Sequence, residues 1–365
     1  MDVSREQVLA YRVRAQQLHD SGGPLEDRAV LDLGVQDTGA DGAGWALLNR
    51  GVDAGPPAGA ADDLVLAWTL RGAPHLYRRR DAAGVAAAVA PFSEADAAKR
   101  IFDAARPLRA AGIEILTALD VVAGQMREIV TRPTVKGELS AQLTARLDPP
   151  YLRDCRPCHA LHTYEQPFRL AALRAGLELV PGTSPPVLTR IAGWRGPART
   201  VPEALDVVRG YLRLLGPATP QMVAGFLDAP VKEVRARWPE DAEEVTVAGQ
   251  KRSVLGQDRD ALAAAPVDDA VRLLAPFDLF LQAKDRELLV PDAERRKQLW
   301  VVLGRPGAVL RGAEVVGTWR PRTSGKRLRL LVDAWSAVPS GPLEEQGERL
   351  AAYRGVAFDG VEAPP

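Results

Sequence analysis

Gln36, Asp37 and Thr38 place an amide, a carboxylate and a hydroxyl on three successive residues. An amide can orient a water molecule, a carboxylate can take its proton, and a hydroxyl can help hold it. Gly34 and Gly39 bracket the three. Glycine permits backbone angles that other residues resist, so the stretch reads as a shaped turn. Two roles are open for it. Its side chains hold a hydrolytic water, or Asp37 or Thr38 caps the helix that follows, as such residues often do in turns.

Two other clusters carry chemistry-bearing types. His75, Tyr77, Arg78, Arg79 and Arg80 gather at the end of a strand-like run. Basic side chains there would meet phosphates, and His or Tyr would wedge against sugars. The opposing reading is a solvated arginine run. Cys155, Cys158, His159 and His162 fall within eight residues, and Cys155 to His159 match a haem-attachment pattern. No export signal accompanies them, so haem is not expected. The same types suit zinc, but a structural zinc site usually brings a second ligand pair from far along the chain, and no second cysteine pair exists. No metal and no cofactor is expected. Glycine phosphate loops, serine-hydrolase elbows and dinucleotide fingerprints are missing from the sequence.

These residues need a scaffold, and the chain is long enough for two to four domains at 365 residues. Composition is globular, with 46% hydrophobic and 26% charged residues. Lys plus Arg number 47, as do Asp plus Glu, so net charge is zero. A nucleic-acid surface must then come from segregated charge. No run of 18 apolar residues exists, so a membrane helix is not expected. The opening residues Met1 to Glu6 lack a signal-peptide pattern, and the two cysteines fit a reducing cytoplasm.

Periodicity supplies the elements. Residues 4–19 read as a helix opened by a Ser4–Gln7 capping box. Short helices follow at 26–33 and 43–50, then strand-like runs at 64–70 and 76–80. Helix trio plus strand pair is a winged helix-turn-helix pattern. It recurs from 113–130 and 134–143, with Lys136 on the second helix, and again from 204–215, 220–227 and 230–238. A hairpin over 245–254, tipped by Gly249, carries Lys251 and Arg252 as the third wing. Beyond 268, strand-like segments at 308–319 and 326–332 and a helix at 343–353 form a smaller β unit. The expected class is α+β: three tandem winged helix-turn-helix domains (1–110, 111–200, 201–268) and a C-terminal β-containing segment (269–365).

The chain resembles the AlkZ/YcaQ group of bacterial DNA glycosylases, which are built from tandem winged helices. The likeness rests on Gln36 fourteen residues before Arg50 with Trp45-Ala46-Leu47 between, on Trp68-Thr69-Leu70-Arg71-Gly72-Ala73-Pro74-His75, and on Tyr211 to Thr219. Leu274-Ala275-Pro276-Phe277-Asp278 and Gly317-Thr318-Trp319-Arg320 complete it. The family's motif is Gln-x-Gln or Gln-x-Asp. Here the third position is Thr38, and Asp37 occupies the middle.

The resemblance implies a monofunctional glycosylase that hydrolyses the N-glycosidic bond of N7-alkylated or bulky purine adducts, in DNA repair or self-resistance to genotoxins. An N7-alkylated purine is a cationic leaving group, so paired strong acids are unnecessary, unlike in an ordinary glycosidase. Gln36 would orient water, Asp37 would take its proton, and Thr38 would support both. His75, Tyr77, Arg78, Arg79, Arg80, Lys136, Lys251 and Arg252 would hold DNA. The implied partner is double-stranded DNA carrying alkylated purines, bound by a cytoplasmic, nucleoid-associated monomer. The alternative is a non-catalytic winged-helix regulator or lesion binder.

Overall fold

The structure, a computed structural model, describes residues 1–20, 22–39, 41–56, 62–157, 159–264 and 267–364. Ser21, Ala40, residues 57–61, Cys158, Ala265, Pro266 and Pro365 lie outside the described residues. The chain forms two compact units of mixed helix and sheet. One holds Met1–Ala58, Gly210–Met222 and Pro239–Pro365; the other holds Gly59–Arg209 and Val223–Trp238.

The first unit opens with the expected capping box. Gln7 N–H donates to the Ser4 hydroxyl at 3.2 Å, and Ser4 N–H donates to the Gln7 side chain at 2.8 Å, which starts the helix Arg5–Ala15. Asp2–Val3 runs parallel to Ala242–Val247, which pairs antiparallel with Gln250–Leu255. Ala248 and Gly249 turn that hairpin with φ of 48° and 76°, the two positive values of a type I′ turn. The hairpin turn expected at Gly249 is therefore present.

A five-stranded sheet follows, of Val271–Leu274, Gly307–Arg311, Glu314–Ser324, Arg327–Ala334 and Ala357–Glu362, each beside its chain neighbour. The first four strands are antiparallel. The last is parallel to the fourth, because the helix Ser340–Arg354 carries the chain back before it. Sequence periodicity does not reveal that last strand, whose short segment Ala357–Glu362 alternates weakly. Leu328, Leu330 and Val332 point to one face by the two-residue period. There they join Leu273, Val309, Trp319 and the helical Leu343 and Leu350 in one buried core. Trp45, from the helix Gly42–Leu48, belongs to the same core and is fully buried. Burying a tryptophan removes roughly 200 Å² from water, worth about 5 kcal/mol.

In the second unit the strands Leu64–Trp68 and Pro74–Arg78 pair antiparallel, with Leu66 opposite Leu76. Their apolar side chains are buried. Ile115–Ile129 buries Ile115, Ala118, Leu119, Val122, Met126 and Ile129, a stripe at helical spacing that packs on the helix Glu165–Arg174. Lys136–Arg146 follows the short strand Thr134–Val135. The cysteine–histidine stretch does not begin a helix. Leu152–Cys155 and Ala160–Thr163 form an antiparallel hairpin, and Pro157 between them lacks the N–H a helix would use. Among the described residues, no helix is long and apolar enough to cross a membrane.

Candidate active site

The turn is built by what flanks it. The helix Val30–Leu33 ends at Gly34, whose φ of 92° suits glycine and redirects the chain into the extended pair Val35–Gln36. The Gln36 amide is held at both ends. Its Nε2 donates to Thr38 Oγ1 at 3.0 Å, and its Oε1 accepts from Gln282 Nε2 at 2.9 Å. Gln282 also donates to Phe277 O at 2.9 Å, which fixes the orientation of its own amide. Thr38 thus touches the Gln36 amide through its hydroxyl.

Asp37 takes the capping role that the sequence left open. Its Oδ1 accepts from Ala43 N–H at 3.0 Å, at the start of the helix Gly42–Leu48. Gly42 makes room: a Cβ there would lie 2.1 Å from Asp37 Oδ1, and its φ is +28°. Among the described residues, no side chain or backbone group hydrogen-bonds Asp37 Oδ2. Burial raises the Asp37 pKa above its ordinary 3.8, and the Ala43 N–H only partly offsets this. A carboxylate with one anchored oxygen and raised basicity is suited to accept a proton from water. Capping and catalysis are thus compatible in one side chain.

A buried ion pair stabilises the ground beneath the turn. Arg50 donates to both Asp278 oxygens at 2.8 and 2.9 Å. Its remaining hydrogens reach Gln16 O, Gln16 Oε1 and Ala46 O, so all five guanidinium N–H donors are used. Asp278 in turn accepts from Phe280 N–H at 3.0 Å and caps the 3-10 turn Leu279–Gln282. The route runs from Arg50 through Asp278 and one helical turn to Gln282, and from there to Gln36. Leu274 to Asp278 was among the stretches that carried the resemblance. Gln282, four residues beyond it, carried no sequence signal.

Four of the eight expected DNA contacts, His75, Tyr77, Arg78 and Arg252, are buried. His75 and Tyr77 are 2% and 1% exposed. Both face Thr69 Oγ1, at 3.0 Å from His75 Nδ1 and 2.9 Å from Tyr77 Oη. His75 Nδ1 also lies 2.9 Å from Ala73 O, a pure acceptor, so the neutral ring carries its proton there. Burial, helped by the charge of Arg71, lowers the His75 pKa to about 3. Arg78 is buried beside Asp81, and Arg252 is buried against Asp285, which Arg12 also grips at 2.8 and 2.9 Å. These four are structural residues, because a buried side chain cannot reach a phosphate. Arg79 is clamped to Glu178 at 2.9 Å twice, and Lys136 to Glu165 at 2.7 and 2.9 Å. Arg80 and Lys251 are the most exposed, with side chains 67% and 77% accessible, Arg80 lying 3.9 Å from Asp81 and Lys251 pairing with Glu244 at 2.9 Å.

Residues 30–353 match the model of a family described as DNA glycosylase AlkZ-like. The chain belongs to that family. It is accordingly a DNA glycosylase, a hydrolase acting on N-glycosyl bonds. A solved structure of the DNA glycosylase AlkZ of Streptomyces sahachiroi is similar over 100% of both chains, with a TM-score of 0.74 and 22% sequence identity. At that identity the likeness is one of fold. No curated protein matches the chain.

For an AlkZ-like chain the departure at Thr38 has a local reading. The hydroxyl sits against the Gln36 amide, and the carboxylate stands one position earlier at Asp37. The cysteine–histidine stretch forms no part of this arrangement. Cys155 is buried on its hairpin and His162 Nδ1 lies 2.9 Å from Thr163 O. No group of three or more His, Cys, Asp or Glu suited to a metal occurs among the described residues.

Proposed function

We propose that this AlkZ-like glycosylase removes N7-alkylated or bulky purine adducts from double-stranded DNA, in alkylation repair or in self-resistance to a genotoxin. One observation carries the reading: the Gln36 amide is locked between Gln282 and Thr38, next to a carboxylate that burial makes more basic. Gln36 orients the water. The bond from C1′ to the cationic base breaks with its electron pair leaving on the base. The water oxygen bonds to C1′, and its proton passes to Asp37. The negative charge of Asp37 also stabilises the oxocarbenium-like state. Alkylation has already made the base a good leaving group, so no second strong acid is required.

The same reading takes the protein as a monomer acting on nucleoid DNA in the cytoplasm. It groups residues 1–110, 111–200 and 201–268 as winged-helix units before the C-terminal segment 269–365. Arg80 and Lys251 are the DNA contacts that their exposure supports.

The test is incubation with duplexes carrying N7-methylguanine or a bulky purine adduct, followed by alkaline cleavage of abasic sites. Strand breaks at the lesion are expected. Intact strands with every adduct, alongside tight DNA binding, would reject this substrate class. Cleavage left unchanged by Gln36→Ala and Asp37→Asn would reject the site.

A further inference from the structure

The loop between the helix Ala293–Leu299 and the strand Gly307–Arg311 carries Val302 and Leu303 at its tip. They are 94% and 88% exposed, the two most exposed large apolar side chains among the described residues. A single exposed apolar residue needs no explanation. Two adjacent ones held out into water are a cost that no packing among the described residues offsets. The loop is also anchored. Trp300 Nε1 donates to Leu281 O at 3.2 Å, Arg320 donates to Gly304 O, and Gly304 turns the chain with a φ of 62°.

Two guanidinium groups flank this tip. Arg286 lies over the Trp300 ring at 5.0 Å, and Arg305 lies over the Phe277 ring at 4.7 Å. Neither forms an ion pair or a hydrogen bond among the described residues, and Arg305 Nε is buried without a partner. The neighbouring carboxylates are engaged: Asp285 by Arg12 and Arg252, Glu287 by Arg296, Glu294 by Lys297. Burial lowers the pKa of both arginines, and Arg305 also feels the charge of Arg286. Two like charges are thus held near each other, with no counter-anion among the described residues, beside an apolar tip.

We propose that this loop is a wedge for duplex DNA, with Val302 and Leu303 pressing between base steps and Arg286 and Arg305 taking backbone phosphates. Apolar wedges flanked by basic side chains are how minor-groove proteins unstack a step, and each phosphate contact releases counterions. A protein partner would use the apolar tip but leave the two cations unanswered. The inference rests on the reading of DNA as substrate and is independent of the lesion. Phe277 connects the two sites: its ring stacks under Arg305 while its carbonyl accepts from Gln282.

The experiment uses the full chain and an undamaged duplex containing 2-aminopurine, whose fluorescence rises on unstacking. Wild-type protein should produce that rise. Val302→Ser with Leu303→Ser should abolish it while weakening binding by less than about tenfold. Arg286→Gln with Arg305→Gln should reduce the slope of log affinity against log salt by about 2. Both pairs are at the surface, and circular dichroism checks that they fold. No rise with the wild type, or variants that match it in fluorescence and salt slope, would overturn the wedge. So would a tip variant that changes only self-association in sedimentation. A tip-dependent rise without excision of any lesion would keep the wedge and reject the proposed substrate; excision without the rise would do the reverse.

Discussion

Gln282 Nε2 donates to Gln36 Oε1 across 2.9 Å, joining residues 246 positions apart in the chain. The amide proposed to orient water is therefore set by the segment that follows the Pro276-Phe277-Asp278 stretch. Thr38, at the place where the family carries an acid or amide, holds the other end of the same side chain.

Removing that link should slow excision without unfolding the protein. Gln282→Leu deletes two neutral hydrogen bonds, to Gln36 Oε1 and to Phe277 O, each worth about 1 kcal/mol, and frees one end of the Gln36 amide. A single-turnover rate about tenfold lower is expected, with an unchanged melting temperature to within a few degrees. A rate equal to wild type would show that Gln36 does not need Gln282.

Asp37 does two jobs, and two substitutions separate them. Asp37→Asn keeps an oxygen for Ala43 N–H but cannot take a proton, so the rate should fall by roughly two to four powers of ten. Asp37→Ala should lose the same rate and also about 1 kcal/mol of stability, the usual cost of a lost cap. The sign of the pKa shift adds a check. The folded value is raised above 3.8, so this carboxyl favours the fold at low pH and that contribution is lost as pH rises through the folded value. Asp37→Asn should therefore match or exceed wild-type stability at neutral pH. The wild-type rate should climb with pH and level off above an apparent pKa higher than 3.8.

Arg50 and Asp278 form a buried pair, and breaking it leaves an uncompensated charge. Arg50→Met should cost about 3–5 kcal/mol, read as a lower denaturant midpoint. The double variant Arg50→Met with Asp278→Leu should recover part of that loss. A midpoint unmoved by Arg50→Met would contradict the described packing.

His75 should behave as a neutral core residue. Its pKa is lowered to about 3, while an unfolded histidine titrates near 6.5. The unfolded chain therefore binds a proton that the fold refuses, and stability falls as pH drops from 6.5 toward 3. Nuclear magnetic resonance of the ring should show no charge change between about pH 5 and 8. A titration near 6.5 would mean that the ring is exposed and available to DNA.

Much of the scaffold was legible before any coordinates. The Ser4–Gln7 capping box, the Gly249 hairpin and the apolar period of residues 113–130 are local signals, and each has its expected structure. The Gln36 turn was legible for the same reason, since Gly34 marks a backbone that must bend. What failed was exposure. A run of Arg78, Arg79 and Arg80 reads as one patch, yet alternation and capture by Glu178 send the three side chains to a buried, a paired and an open place. Asp285, which takes in Arg252, lies 33 residues away, and Gln282 lies 246 from its partner. Such pairings depend on tertiary approach, which periodicity does not encode.

Trp45, nine residues after Gln36, is seated among strands that begin at Val271 and end near the last residues. During synthesis this tryptophan leaves the ribosome more than two hundred residues before its surroundings exist. Until the C-terminal strands emerge, the helix Gly42–Leu48 lacks the core that holds it, and Gln36 lacks Gln282. A chain lacking that later segment would then carry Gln36, Asp37 and Thr38 without the Gln282 contact and without the core around Trp45.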